Sequence, residues 1–318
     1  MLKDYTKKPL TYLQQSDLLQ QRNMVIHDRP TALSALSKIS YYRLSAYWYP
    51  FRQRDSSGWV TDNFIAGTSF EEAVNRYEFD RKLRLLVLDA IERIEVSLRT
   101  KLTYHLAHQY GPYGHTDSAN FHPRFHHAHW LSELELKEAN RSQEEFIRHF
   151  KNHYRGFPRL PVWIATEVMS FGLLSKLFRG LKHQDKRIIG ETYELHPKTL
   201  ADWLHVLTYV RNICAHHGRL WNRELAIRPV LQGLDKNWLP SKTPTNNRLF
   251  IILLIINQLL KVNHNNTDWQ KSLENLIAPI IANPLLRQSM GFPSDWQTHA
   301  LWMSHPKNFQ SAEKEITV

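Results

Sequence analysis

The run Trp203-Leu204-His205-Val206-Leu207-Thr208-Tyr209-Val210-Arg211-Asn212-Ile213-Cys214-Ala215-His216-His217-Gly218 decides how the chain is read. Trp203, Leu204, Val206, Leu207, Val210, Ile213 and Cys214 recur at steps of three and four, the spacing of an amphipathic helix. Gly218, just past the last periodic residue, is the expected left-handed cap, which puts His216 in the final turn. Asn212 and His216, four apart, then stack on one face, and the long Arg211 side chain swings to the same place. An imidazole, a guanidinium and an amide converge. Such a set can cut RNA without a metal. The histidine moves a proton at the ribose 2′-hydroxyl or the leaving 5′-oxygen, and the arginine holds charge building on the phosphate. The plainer reading is a buried ion pair or a satisfied core histidine, and periodicity alone does not choose between them.

The same spacing occurs at Arg124/His129 and Arg148/His153, so the motif needs its context. Arg124/His129 lies in the Pro- and His-rich stretch 121–129, which reads as a loop or helix start. Arg148/His153 runs into the helix stop Tyr154-Arg155-Gly156-Phe157-Pro158. Only the third pair has a polar Asn after the arginine and a strong apolar face to bury.

Composition bounds the rest. Hydrophobic content of 42% with 12% aromatics excludes disorder, and 11 glycines with few alternating runs argue for an all-α protein. The 41 basic residues outnumber the 30 acidic ones, and the resulting net charge of +11 favours an anionic partner. RNA is the first candidate, ahead of an acidic membrane surface; a simple solvated basic surface is the plain alternative. No run approaches the roughly 20 apolar residues of a membrane span, and the N-terminus lacks the apolar core of a signal peptide. The single cysteine, Cys214, cannot form an internal disulfide, which suits a reducing cytoplasm, and it reads as a small apolar filler. No cofactor is expected. His122, His126, His127 and His129 have no cysteine or carboxylate partner at fixed spacing, so they read as a surface loop and not as a metal site.

Outward from the motif, the second pillar is a long helix from Phe70 to about His108, with Leu83, Leu86, Val87, Ala90, Ile91, Ile94, Leu98 and Leu102 as its core stripe. Glu95 and Arg99 form a four-residue pair on it, and a carboxylate from this helix is placed to orient the motif histidine. Upstream, a short helix is expected around Ser16 to Arg22, capped by Ser16, then one helix from Thr31 to Ala46 into the aromatic block Tyr41 to Phe51. Those aromatics with Arg43 read either as a base-stacking platform or, more commonly, as a packed helix. Residues 52–67 read as a loop or hairpin. Downstream, helices are expected over Ser132–Tyr154, through Thr166–Gly172, over Leu249–Val262 and over Trp269–Ile281. Phe250 to Ile256, the longest apolar run, belongs in a core or a dimer interface. Arg219 and Arg223, with Trp221 and His217, lie beside the motif and are candidate phosphate contacts. The expected division is an N-terminal helical and aromatic segment over 1–68, a core over 69–235 and a C-terminal helical extension over 236–318.

Three stretches together resemble a known family: Tyr41-Tyr42-Arg43-Leu44-Ser45-Ala46-Tyr47-Trp48; Phe79 to Arg84 with Ala90 to Arg99; and Arg211-Asn212 through His216. They look like the Abi-like abortive-infection family of the AbiD/AbiF kind, over about residues 8–235. The last stretch is similar to the Arg-polar-x3-His signature of HEPN ribonucleases. That resemblance implies a HEPN-like helical bundle with N-terminal and C-terminal extensions, metal-independent RNA cleavage and a role in phage defence. It makes Arg211 and His216 the catalytic pair, Asn212 the supporting polar residue and Glu95 and Arg99 second-rank supports. It also implies a homodimer, because one motif supplies one histidine whereas in-line attack wants both a base and an acid. The alternative is a non-catalytic module that binds a small structured RNA or serves as an adaptor.

Overall fold

The computed structural model describes residues 4, 6–231, 245–261 and 267–303. The chain is all-α apart from one small hairpin. It divides into two compact units, Met1–Leu83 and Arg84–Val318.

In the first unit, α1 (Tyr12–Gln21) starts at Thr11, whose side chain and that of Gln14 form a reciprocal capping box. Thr11 is therefore the cap, and Ser16 is buried within the helix. The single helix expected over Thr31–Ala46 is two helices, α2 (Arg29–Ile39) and α3 (Tyr41–Trp48). The break is at Ser40, where φ reaches +74° and the hydroxyl accepts the Arg43 N–H at 3.4 Å. One serine thus ends α2 and caps α3, which a count of apolar spacing does not register. Strands β1 (Arg52–Arg54) and β2 (Val60–Phe64) form the antiparallel hairpin expected between residues 52 and 67. Tyr47 and Trp48 are buried with Leu19, Leu36, Phe64 and Phe70, and the Tyr47 hydroxyl donates to Asp80 Oδ2 at 2.7 Å. The aromatic block is mainly packing; Tyr42 remains exposed on its outer side.

The long helix α4 (Phe70–Tyr110) contributes its residues from Arg84 onward to the second unit. Val87, Ala90, Ile91, Ile94, Leu98, Leu102 and Leu106 are all buried along it. After α4 come α5 (His127–Ser132), a wider turn of helix over Glu133–Ala139 with the Asn140 N–H bonded to the Glu135 carbonyl, and α6 (Glu145–His153). The helix expected over Ser132–Tyr154 is therefore interrupted, because the wider turn throws the backbone out of register before residue 145. Next are α7 (Val162–Val168), α8 (Phe171–Gly180), α9 (His183–Glu191) and α10 (Pro197–Ala215), the motif helix. The C-terminal part holds α11 (Leu249–Leu260), α12 (Thr267–Ile281) and α13 (Pro284–Ser289). Every residue of α11 except Gln258 is buried, so the apolar run Phe250–Ile256 lies in the chain's own core. Val262, the expected end of that helix, lies outside the described residues. No helix is long and apolar enough to cross a membrane among the described residues.

Polar ties lock α4 to its neighbours. Asp185 on α9 is buried and receives His105 Nε2 at 2.7 Å and the Tyr110 hydroxyl at 2.9 Å. Ser97 meets the Tyr193 hydroxyl at 3.1 Å, and the Trp269 indole donates to the Leu86 carbonyl at 2.9 Å. Each is a buried or half-buried hydrogen bond whose loss leaves a stranded polar group.

The histidine-rich connection is only partly a surface loop. His122, His126 and His129 are exposed, but His127 is buried with its Nε2 on the His115 carbonyl at 2.9 Å, and His115 itself is buried. Burial, then His127 and Arg159, pushes His115 down to about 4. The unfolded chain binds this proton near pH 6.5 and the folded chain only near pH 4, so stability falls as pH drops through that window. We expect a loss on the order of 3 kcal/mol between pH 7 and pH 4 from this residue. Urea unfolding of wild type and His115→Gln across that range measures it. The wild type should show the steeper decline.

Candidate functional site

The site is built on the end of α10. Trp203, Leu204, Val206, Leu207, Val210 and Cys214 are buried, and α8 and α9 pack against this helix. Burying that face forces the opposite face outward. Arg211, Asn212 and His216 are all exposed, as is His217, which removes the reading of His216 as a core histidine. Cys214 is buried, as expected of a small filler.

Helix α10 ends one residue before His216, which is its C-cap; the His216 N–H still bonds the Asn212 carbonyl at 3.0 Å. The left-handed residue is His217, with φ +57°, and not Gly218 as the sequence suggested. Two further bonds close the turn, from the His217 N–H to the Cys214 carbonyl at 3.1 Å and from the Gly218 N–H to the Ile213 carbonyl at 2.8 Å. This is the double-bonded helix stop that satisfies orphan carbonyls. Gly218 is needed for closeness: a Cβ there would sit 3.2 Å from the Ile213 carbonyl oxygen and 3.3 Å from its Cγ2. The turn therefore places two imidazoles in sequence at the helix end, with the Asn212 amide on the turn below.

Arg211 forms no ion pair among the described residues, whereas Arg148 is paired with Glu145 at 2.6 Å. Arg124 precedes α5 and shares no helix with His129. Beneath Arg211 lies the pair on α4. Arg99 donates to Glu95 Oε1 at 2.8 Å, to the Met169 carbonyl at 3.2 Å and to the Thr166 carbonyl. Burial raises the Glu95 carboxyl above its ordinary value, opposed first by Arg99 and then by Arg211. The Arg211 charge is thus within electrostatic range of Glu95. Arg99 is chiefly a fastener of the α7 end.

The segment after the turn runs back along α10. The Ala226 N–H reaches the Tyr209 hydroxyl at 3.4 Å, and the Val230 N–H reaches Asp202 Oδ2 at 2.8 Å. Trp221 is fully buried and anchors this return, so its indole offers no face to a ligand. Arg219 and Arg223 are half-buried, with Arg223 Nε donating to the Arg219 carbonyl at 2.6 Å. Both shape the turn. Arg43 is exposed on α3 of the first unit, next to Tyr42.

A family model described as Abi-like protein matches residues 34–222, which takes in α3, α4 and the whole of α10 with its terminal turn. The chain belongs to the Abi-like family. That membership points to abortive infection, a form of phage defence. No curated protein and no solved structure matches the chain. The matched span ends at Asn222, so the motif turn of this Abi-like protein falls inside it and α11 to α13 fall outside.

The turn separates structure from chemistry. A glycine at residue 217 relieves the left-handed strain, so His217→Gly should raise stability by about 0.5–1 kcal/mol. Gly218→Ala should lower it by about 1 kcal/mol through the Ile213 contact. Thermal unfolding of the two variants reads both signs.

Proposed function

We propose that this protein is a metal-independent endoribonuclease of the HEPN type acting in phage defence, with Arg211, Asn212 and His216 as its catalytic group. The observation that carries this reading is the exposure of all three side chains at a double-bonded helix end, with no ion pair on Arg211 among the described residues. A guanidinium left unpaired on a packed helix is ready for an anion.

The chemistry follows from the groups present. The His216 imidazole takes the proton of a ribose 2′-hydroxyl, which attacks the adjacent phosphorus. The 5′-oxygen leaves, taking a proton from an acid, and the products are a 2′,3′-cyclic phosphate and a 5′-hydroxyl. Arg211 neutralises charge on the phosphate oxygens in the transition state, and Asn212 donates to phosphate or ribose. Glu95 lies in the field of Arg211 and steadies the guanidinium from below. A second imidazole completes the reaction, and a homodimer that sets two copies of the α10 turn face to face supplies it. The net charge of +11 draws the RNA in.

His216→Ala should abolish cleavage of RNA in EDTA with the melting temperature unchanged, and Arg211→Ala should lower the rate about 10²–10³-fold. End-group analysis of the wild-type products checks the mechanism: 5′-phosphate ends, or loss of activity in chelator, would overturn it. Cleavage that persists per molecule at concentrations where sedimentation finds only monomer would remove the homodimer. If wild type and both variants bind RNA with the same steep salt dependence and none turns over, the module is an RNA binder.

A further inference from the structure

A cavity of about 560 Å³ opens at the opposite end of α10 from the motif, where the first turns of α9 and α10 meet the end of α8 and the returning segment at Val230. Its wall carries Arg179, Lys186 and Lys198, the imidazoles of His183 and His196, and one carboxylate, Asp202. Arg179 and Lys198 form no ion pair among the described residues. Lys186 Nζ donates to the Arg179 carbonyl at 3.2 Å and meets no carboxylate. Asp202 Oδ2 is occupied by the Val230 N–H. Among the described residues, three cations thus face one carboxylate, one oxygen of which is engaged.

The surroundings register that imbalance. Burial and then Arg179 push the Lys186 ammonium below its ordinary value, and the same two causes lower His205, with Asp202 opposing. Helix α9 begins at this cavity with no side-chain cap on its first turn, whereas α10 begins with Pro197, which has no N–H, and with a Lys198 N–H that donates to His196 Nδ1 at 3.2 Å. A neighbouring hollow of about 410 Å³ shares Arg179 and is lined by Phe125, by the buried Trp130, by Arg124, and by Lys176 with its ion partner Glu133 at 2.6 Å. Arg179 therefore stands between a cationic hollow and one walled by aromatic carbon.

We propose that the first cavity binds the phosphate groups of a nucleotide, free or at the end of an RNA strand, through Arg179, Lys186 and Lys198. Its size falls in the usual range for small-ligand sites, and its cations are held by helices, so the site exists before the ligand arrives. The adjoining hollow has room for the base beside Phe125. Lys198 and Arg211 lie thirteen residues apart on α10, about 20 Å at helical rise, so a phosphate held here does not occupy the position of cleavage. The inference stands whether or not the motif cleaves RNA.

Titration calorimetry with pyrophosphate tests it on wild type, Arg179→Ala, Lys198→Ala and Arg187→Ala. Arg179 and Lys198 are exposed, and the melting temperature of each variant checks that the fold is kept. Arg187 is the control, an exposed cation on α9 that faces Glu191 at 3.7 Å. Saturable one-to-one binding is expected, weakened about tenfold by Arg179→Ala and by Lys198→Ala. Arg187→Ala should bind as wild type does. Competition then separates the two sources. If ATP displaces pyrophosphate and a 5′-phosphate adds nothing to the affinity of an RNA oligonucleotide, the ligand is a free nucleotide. If the 5′-phosphorylated oligonucleotide binds about tenfold more tightly than its 5′-hydroxyl form and ATP fails to compete, it is an RNA end. Non-saturable binding by wild type, or an equal loss in Arg187→Ala, overturns the proposal and leaves only diffuse surface charge.

Discussion

The Arg99 guanidinium joins three things at once: Glu95 one turn back on α4, the Thr166 carbonyl near the end of α7, and the Met169 carbonyl just beyond it. Helix ends leave carbonyls without partners, and a buried carbonyl without one costs about 1–3 kcal/mol. A cation at the C-terminal end of α7 satisfies the Met169 carbonyl, adds a second donor to the Thr166 carbonyl, which already accepts the Met169 N–H, and meets the negative end of the helix dipole. The position of α7 against α4 follows from that constraint. Thr103 on Thr166 at 2.7 Å adds a second tie at the same place. Because Glu95 is drawn into this knot, a half-buried carboxylate ends up within the field of Arg211.

The same economy appears at the end of α10. The turn at His216 and His217 is a helix stop, and its hydrogen bonds answer the need to satisfy terminal carbonyls. Yet it holds the backbone of both histidines rigidly and exposes both side chains. His217 occupies a left-handed position that a glycine would fill with less strain. Strain retained at a site is consistent with a functional side chain at that position, and the unfolding measurements on residue 217 bear on that directly.

Charge on this protein is unevenly answered. On α6 and α9, Arg148 and Arg187 face carboxylates within one turn of their own helices. Arg211, Arg179 and Lys198 have none among the described residues. Among the described residues, cations without an ion pair occur at both ends of the motif helix, at the Arg211–His216 turn and at the α9–α10 cavity. One helix thus offers anion-attracting chemistry at both ends, and its buried middle holds the two ends at a fixed separation.

The sequence by itself determined the helical class, the long α4 and the motif helix, because burying one face of a helix demands apolar residues every three or four positions and leaves that trace in the chain. It determined the hexapeptide for the same reason: Arg211, Asn212 and His216 are close in sequence, so helix geometry alone brings them together. Only the tertiary structure decided what depends on side chains satisfying backbone groups or on distant helices meeting. Ser40 divides α2 from α3 by a hydrogen bond and a positive φ, neither of which has a period. His127 and Trp221 are buried by contacts from other segments. Arg179, Lys186 and Lys198 sit on three different helices, and only packing draws them around one cavity. Nothing local in the sequence distinguishes Lys186, which lines the cavity, from Arg187, which pairs with Glu191. That distinction is a matter of which way each helix face turns, and packing sets it.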